Sequence, residues 1–496
     1  MAQWHPTSRE KRARCGAPKL RGWLEFLLKT FHLDLERFAV LLPVLTYLPI
    51  ESPCLPTRGP TEWTVHSLQA NMDEVSLPER EPPSDEGSVF REPAYVRFWF
   101  ARICSTISFQ VAAVAVGWQV YALTHSTFAL GMVGLVQFLP MLLLTLVVGH
   151  VADRFNRKTI ISICQVVEAS TLGLLAVSSY LHRLHPSGIY FAVAAIGAAR
   201  AFESPSTQAL VPGLVEDAKV PQAIAWSTSA NQTASIVGPA LGGLLYAFGP
   251  HVPYGLCACL FATASVLSST IVPKRRMAGK APVTAKSIFS GIHYIRERRN
   301  ILGAISLDLF VVLLGGATAL LPAYARDILH TGPWGLGLLR LAPAVGALLT
   351  AVFRAHHPIR NRAGHRMFAA VIVFGVATVA FALSRNVWVS MAILCLLGAA
   401  DVTSVVVRSS LVQLETPDEM RGRVSAVNSL FIGTSNQLGE FESGVTASWF
   451  GLIPATILGG VGSIVIALIW MFLFPDLRKL ESIAGPAAGD KVEVAN

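Results

Sequence analysis

Ten ionisable side chains fall inside long apolar runs of this chain. They are Arg102, Glu168, Arg200 and Glu203, then Asp308, Arg340, Asp401, Arg408, Glu440 and Glu442. A charge held in lipid is costly, so each of these groups must face a cavity, find an opposite charge, or exchange a proton. Asp308 and Glu440 are the candidates for proton exchange, a chemistry to which buried carboxylates are suited. A fixed ion pair, such as Asp308 with Arg340, is the competing use of the same residues. Glu440 and Glu442 point about 200° apart around a helix, so both cannot face one cavity. Asp401 and Arg408 share a helix face but lie about 10 Å apart along it, so they need partners on other helices. Trp118, Gln119 and Gln137, with Gln110 and Tyr121, supply polar and aromatic groups suited to an amphiphilic ligand. The alternative for each is packing against lipid or a neighbouring helix.

Two further stretches interrupt the apolar pattern. Residues 149–158 (GHVADRFNRK) place Gly149, Asp153, Arg154, Arg157 and Lys158 between two uncharged or nearly uncharged runs. A short cationic turn between two spans belongs on the cytoplasmic side. Residues 238–243 (GPALGG) set Gly238, Pro239, Gly242 and Gly243 inside a third run. Pro239 lacks an N–H and the glycines lack side chains, which predicts a kink and close approach to a neighbouring helix. No HExxH, GxSxG or GxxxxGK[ST] string is present, so metalloprotease, hydrolase and P-loop ATPase chemistry lack their signatures. A membrane enzyme using Glu440 and Glu442 as acid and base is the remote alternative. The seven cysteines form no CxxC pair, so neither a disulfide framework nor a metal site is expected.

The elements that must position these groups follow from composition. Charged residues make up 14% and hydrophobic ones 52%, against about 25% charged in a soluble chain. Twelve apolar runs, each close to the roughly 20 residues a spanning helix needs, fall at 98–123, 128–148, 159–181, 188–212, 221–248, 253–273, 300–325, 334–353, 367–384, 386–412, 424–448 and 452–474. Alternate loops hold 18 Lys and Arg against three in the others. That asymmetry predicts both termini in the cytoplasm and accounts for the net charge of +9 without a nucleic-acid partner.

The domains expected are an extension at 1–92, a six-helix half at 93–273, a linker at 274–299, a second half at 300–476 and a cytoplasmic tail at 477–496. The extension mixes basic, Pro-rich and acidic stretches, and we expect disorder there; Met72 is the expected true start, with a real but poorly ordered amphipathic extension at 1–71 as the alternative. In the linker, Ile288, Ile292 and Ile295 recur at helical spacing beside cations, predicting an amphipathic helix on the membrane surface. The halves repeat. Residues 197–243 align without a gap onto 398–444, with ten of 47 positions identical, and Gly134 and Pro140 match Gly337 and Pro343. The predicted fold is an all-α integral membrane protein with twelve transmembrane helices in two parallel, pseudo-symmetric halves.

The 149–158 motif resembles the loop between the second and third helices of the major facilitator superfamily of transporters, with Asn156 where many members have a second Gly. The resemblance implies a latch in which Asp153 faces the start of the eleventh helix, near Arg421 and Arg423. Residues 238–243 are similar to a motif of the family's exporters, with Ala234 in place of one Gly. The strings AARAF (198–202), QALVP (208–212) and LVQLETPDEMRGRV (411–424) look like the branch of enterobactin exporters and related efflux proteins. That resemblance covers 93–479. It implies a monomeric antiporter of the bacterial inner membrane, in contact with the lipid bilayer and exporting a siderophore or drug-like small molecule. It also implies the proton gradient as the energy source, with no cofactor. An importer of a small metabolite on the same fold is the alternative.

Overall fold

The computed structural model describes residues 88–274, 285–357 and 361–481. Most of the expected extension, Met72 within it, and residues 482–496 of the tail lie outside the described residues. Every regular element that is described is helical. Twelve long helices follow one another: α1 (Pro93–Thr124), α2 (Thr127–Arg154), α3 (Arg157–Tyr180), α4 (Pro186–Leu210), α5 (Val220–Tyr246) and α6 (His251–Ser269), then α7 (Arg299–Leu314), α8 (Pro333–His356), α9 (Ala363–Leu383), α10 (Val387–Glu415), α11 (Asp418–Phe450) and α12 (Leu452–Leu473). Among the described residues nine helices are long and apolar enough to cross a membrane. The three that fall short, α4, α5 and α11, are long enough but more polar. Leu143, Leu174, Phe191, Leu349 and Phe472 project outward, as a helix face in lipid requires.

Local chemistry sets the boundaries. Ser126 and Asn156 cap α2 and α3 by accepting the backbone N–H of Ala129 and Lys158, which satisfies donors that a helix start leaves free. His125 ends α1 at φ 51°, and His330 follows α7 at φ 50°. His125 is the left-handed C-cap of α1, whereas His330 lies past the turn Tyr324–Ile328, two residues before Gly332, the N-cap of α8.

The packing repeats as well. In the first half α1 packs on α5 and α6, α2 on α4, and α3 on α4 and α6. In the second, α7 packs on α11 and α12, α8 on α10, and α9 on α10 and α12. Gly197 and Gly398, matched by the repeat, lie where α4 crosses α2 and where α10 crosses α8. A Cβ on either would strike a backbone carbonyl, that of Gln137 or Pro343. The halves meet through α2 on α11 and α5 on α8.

One end of the bundle carries the linker and the α2–α3, α4–α5, α8–α9 and α10–α11 loops; this is the linker end. At the opposite, far end the seam is tight. A Cβ on Gly243 would stand 2.7 Å from Gly337 Cα, and one on Gly131 would stand 2.9 Å from Gly444 Cα. The Tyr121 hydroxyl donates to Asp327 there, joining the two halves. Toward the linker end the seam loosens: Gly433 meets only Met141 Cε at 3.5 Å, and Gly422 meets nothing within 4 Å.

A helix at Ala285–Glu297 links the halves. Its apolar residues Ile292 and Ile295 pack with Val424 and Val427 of α11, and the Tyr294 hydroxyl donates to the Glu415 carbonyl at 3.0 Å. The stripe predicted to lie on a membrane surface is therefore turned onto protein at these two residues. The side chain of Ile288 lies outside the described residues.

Candidate functional site

Between the halves lies a cavity of about 200 Å³. Phe109, Val116, Leu130, Val133 and Leu172 of the first half make an apolar wall. Gln110 and Gln137 join it, and Arg340, Gln437 and Glu440 face it from the second half. Gln137 and Arg340 occupy matching positions, three residues before Pro140 of α2 and Pro343 of α8. The repeat therefore brings the same turn of helix to the cavity from both sides, with different chemistry on each. Arg340 Nε and Gln437 Oε1 are buried without a protein hydrogen-bond partner. The cavity thus mixes amide donors and acceptors with the opposite charges of Arg340 and Glu440. Beside it α7 breaks at Gly315–Gly316 into a 3-10 segment, Ala317–Leu320, whose Ala319 lines the cavity. Backbones are close here: a Cβ on Gly316 would lie 2.5 Å from the Gly439 carbonyl oxygen.

Two of the expected cavity residues are elsewhere. The lining face of α1 runs through Phe109, Gln110, Ala113, Val116 and Gly117, and Trp118 and Gln119 lie about 100° and 200° beyond Gly117. Trp118 packs against the second half's core and the Tyr246 ring, 6.5 Å away between centroids. Gln119 is buried and donates to Ser179 Oγ at 3.4 Å. Of the five residues named from sequence, Gln110 and Gln137 line the cavity, and Tyr121 instead joins the halves through Asp327.

The Gly238–Gly243 motif packs α5 onto two helices. A Cβ on Gly238 would strike Gln110 Cβ at 2.5 Å, and one on Gly242 would reach Val111 Cα at 3.1 Å, both on α1. Gly243 abuts Gly337 of α8, and Gly337 in turn lies against the Pro239 carbonyl. The matching turn of α11 sets Glu440 against Gly134 and Gly444 against Gly131.

The buried charges sort into two clusters. In the second half Arg408 Nη1 of α10 lies 2.5 Å from Asp308 Oδ1 of α7, both side chains nearly covered. Asp308 therefore pairs with Arg408 and not with Arg340, which faces the cavity. Asp401, partly exposed, interacts with Arg408 from the other side. Glu442 points away from the cavity and accepts from Thr446 Oγ1 at 2.7 Å, as its angular separation from Glu440 requires.

In the first half Glu203 of α4 accepts from Ser105 Oγ and Gln165 Nε2, each at 3.0 Å. Arg200 lies 3.8 Å from its second oxygen and stacks 3.8 Å over the Phe109 ring, an arrangement that favours a cation. Glu168 of α3 is fully buried, and neither of its oxygens has a hydrogen-bond partner.

In the 149–158 motif, Arg157 donates to the Ala209 carbonyl and Lys158 to the Ile271 carbonyl, each at 2.9 Å. Both cations thus cap the carbonyl-rich ends of helices in their own half. Arg154 is exposed. Arg421 pairs with Asp418 at 2.6 Å and Arg423 donates to Ser290 Oγ at 3.4 Å. The surroundings of Gly149 and the side chain of Asp153 lie outside what the structure describes.

Two repeated six-helix halves around a central cavity that mixes polar and apolar groups make this a membrane transporter of the major facilitator fold. The chain belongs to the transmembrane secretion effector family, whose model matches residues 86–490. A protein named enterobactin exporter EntS, from Citrobacter koseri, is 25% identical over 394 residues, 78% of this chain and 93% of that protein. A crystal structure of the nucleoside transporter NupG superposes with a TM-score of 0.60 at 14% identity, covering 77% of this chain and 100% of that one. A bacterial homologue of the lysosomal transporter Spinster, in an inward-facing and occupied conformation, gives 0.61 at 12%, covering 79% and 96%.

Proposed function

We propose that the protein exports an amphiphilic small molecule, a siderophore or drug-like compound, across the bacterial inner membrane in exchange for protons. The observation that carries this is the cavity: an apolar wall on one side, with Arg340, Gln437 and Glu440 opposite. Such a site suits a ligand with an aromatic or aliphatic body and a few hydrogen-bonding groups. The match to enterobactin exporters supports the direction and the substrate class.

The bias of Lys and Arg toward the linker-end loops puts that end, and both termini, in the cytoplasm. The seam loosens there, facing the compartment from which an exporter loads. A drug-sized ligand takes roughly 300–1,000 Å³, so loading requires the halves to part further than they do around this cavity. Glu440 stands where substrate and proton compete for one carboxylate. Asp308, tied to Arg408, serves the packing of the second half. The stretch around Asp153 and Arg154 closes the linker end against the start of α11, with Arg421 and Arg423, during the return step. Arg157 and Lys158 hold that stretch in place through the helix ends they cap.

Accumulation of ethidium in cells with and without the protein, before and after collapse of the proton gradient, tests the reading. Lower accumulation that recovers on collapse is the expected result. Higher accumulation with the protein present would reverse the direction and make it an importer.

A further inference from the structure

The first half contains an acid that the cavity mechanism leaves unused. Glu168 is fully enclosed between α3, α4 and α6, and both carboxylate oxygens lack a hydrogen-bond partner. Its neighbour Glu203 takes the nearby donors: Ser105, Gln165 and, at 3.8 Å, Arg200. Ser268, the α6 hydroxyl at this level, donates to Gln165 at 2.9 Å. The charged groups that interact with Glu168 are Glu203 and Arg200, both on α4. Arg102 on α1 interacts with that pair. Cys164 is the titratable neighbour on α3 itself, while Tyr254 and Cys257 on α6 interact with each other. An ionised carboxylate sealed without partners is strongly disfavoured, so such a group takes up a proton.

We propose that Glu168 is a second proton-binding site, coupled to cavity occupancy through Arg200. The inference rests on the proton-coupled reading above. Its mechanical link is visible: Arg200 stacks on Phe109, and Phe109 lines the cavity. Leu172, one turn along α3 from Glu168, lines the cavity as well. A substrate pressing on Phe109 displaces the guanidinium from its stack. Arg200 then moves toward Glu168, its charge stabilises the carboxylate, and the proton passes to solvent in the cavity. When the substrate leaves, Arg200 returns to Phe109 and Glu203, and Glu168 takes up a proton again.

Infrared spectroscopy of the purified full chain at neutral pH reads the carbonyl stretch of protonated carboxylic acids. The expected result is a band that Glu168→Gln removes and Glu442→Gln leaves. In liposomes with ethidium as probe, Glu168→Gln should flatten the dependence of export on the pH gradient and leave undriven ethidium exchange intact. Glu168→Asp should restore part of that dependence, which a purely structural defect would not do. A band unchanged in Glu168→Gln, or a gradient dependence equal to that of the unsubstituted protein, would overturn the proposal. Export by the unsubstituted protein that ignores the gradient would instead sink the coupled reading, leaving the infrared band to decide whether Glu168 holds a proton.

Discussion

The two buried charge clusters are built with reversed polarity on the same scaffold. In the first half the acid Glu203 is on α4 with Arg200 of the same helix 3.8 Å away, and Arg102 of the opening helix α1 also interacts with it. In the second half the acid Asp308 is on the opening helix, α7, and the cation Arg408 is on α10, the helix that matches α4. The surplus acid is what differs. Glu168 is sealed and unpartnered, whereas Asp401 stands beside Arg408 and is partly exposed. The first half thus holds a sealed, unpartnered acid beside its cluster, and the second holds a fixed pair.

The largest expected effect breaks that fixed pair. Asp308→Asn breaks the 2.5 Å contact and leaves Arg408 with Asp401 as its remaining carboxylate, at a cost of up to about 3–5 kcal/mol. Thermal unfolding in detergent should fall by many degrees, and replacing both partners with leucine should recover most of the loss. An unaltered melting temperature in Asp308→Asn would mean that the pair is not structural, and the contrast between the halves would fail.

An intermediate effect separates the two glutamates of α11. Glu440→Gln should remove most gradient-driven export, because the cavity loses the carboxylate that exchanges the proton. Glu442→Gln, losing a bond to Thr446 on its own helix, should leave export close to normal. Equal losses in the two variants would remove Glu440 from its special place.

The smallest effect is at the surface. Lys274 pairs with Glu92 at 2.7 Å, and the hydrogen bond to that carboxylate holds its ammonium pKa above the ordinary value. A pKa raised on folding stabilises the folded state below the unfolded pKa, and this contribution fades as pH rises through the folded one. Neutral pH lies on that plateau, so Glu92→Gln should lower stability there only slightly, because exposed pairs are screened by water and salt, and the difference should vanish at strongly alkaline pH. A substantial fall in melting temperature would give this pair a larger structural role.

How much of this was readable from sequence depended on whether the signal was local. Span positions, the Pro140 and Pro343 match, and the divergence of Glu440 from Glu442 all follow from spacing along one helix. The partner of Asp308 does not, because Arg408 lies 100 residues away on another helix, and spacing says nothing of which helices adjoin. Trp118 and Gln119 were assigned to the cavity by side-chain type; the rotation of α1 turns them elsewhere. Glu168 carried a visible signal, as the only ionisable residue in a long run. Its isolation from every donor emerges only when Glu203 is seen to take them all.

The most direct test of the account is proton movement by the purified protein in liposomes that enclose a pH indicator. Ethidium moving down its own gradient should drive protons the opposite way, with Glu440→Gln abolishing the signal. Ethidium flux through the unsubstituted protein with no change in internal pH would contradict proton-coupled exchange.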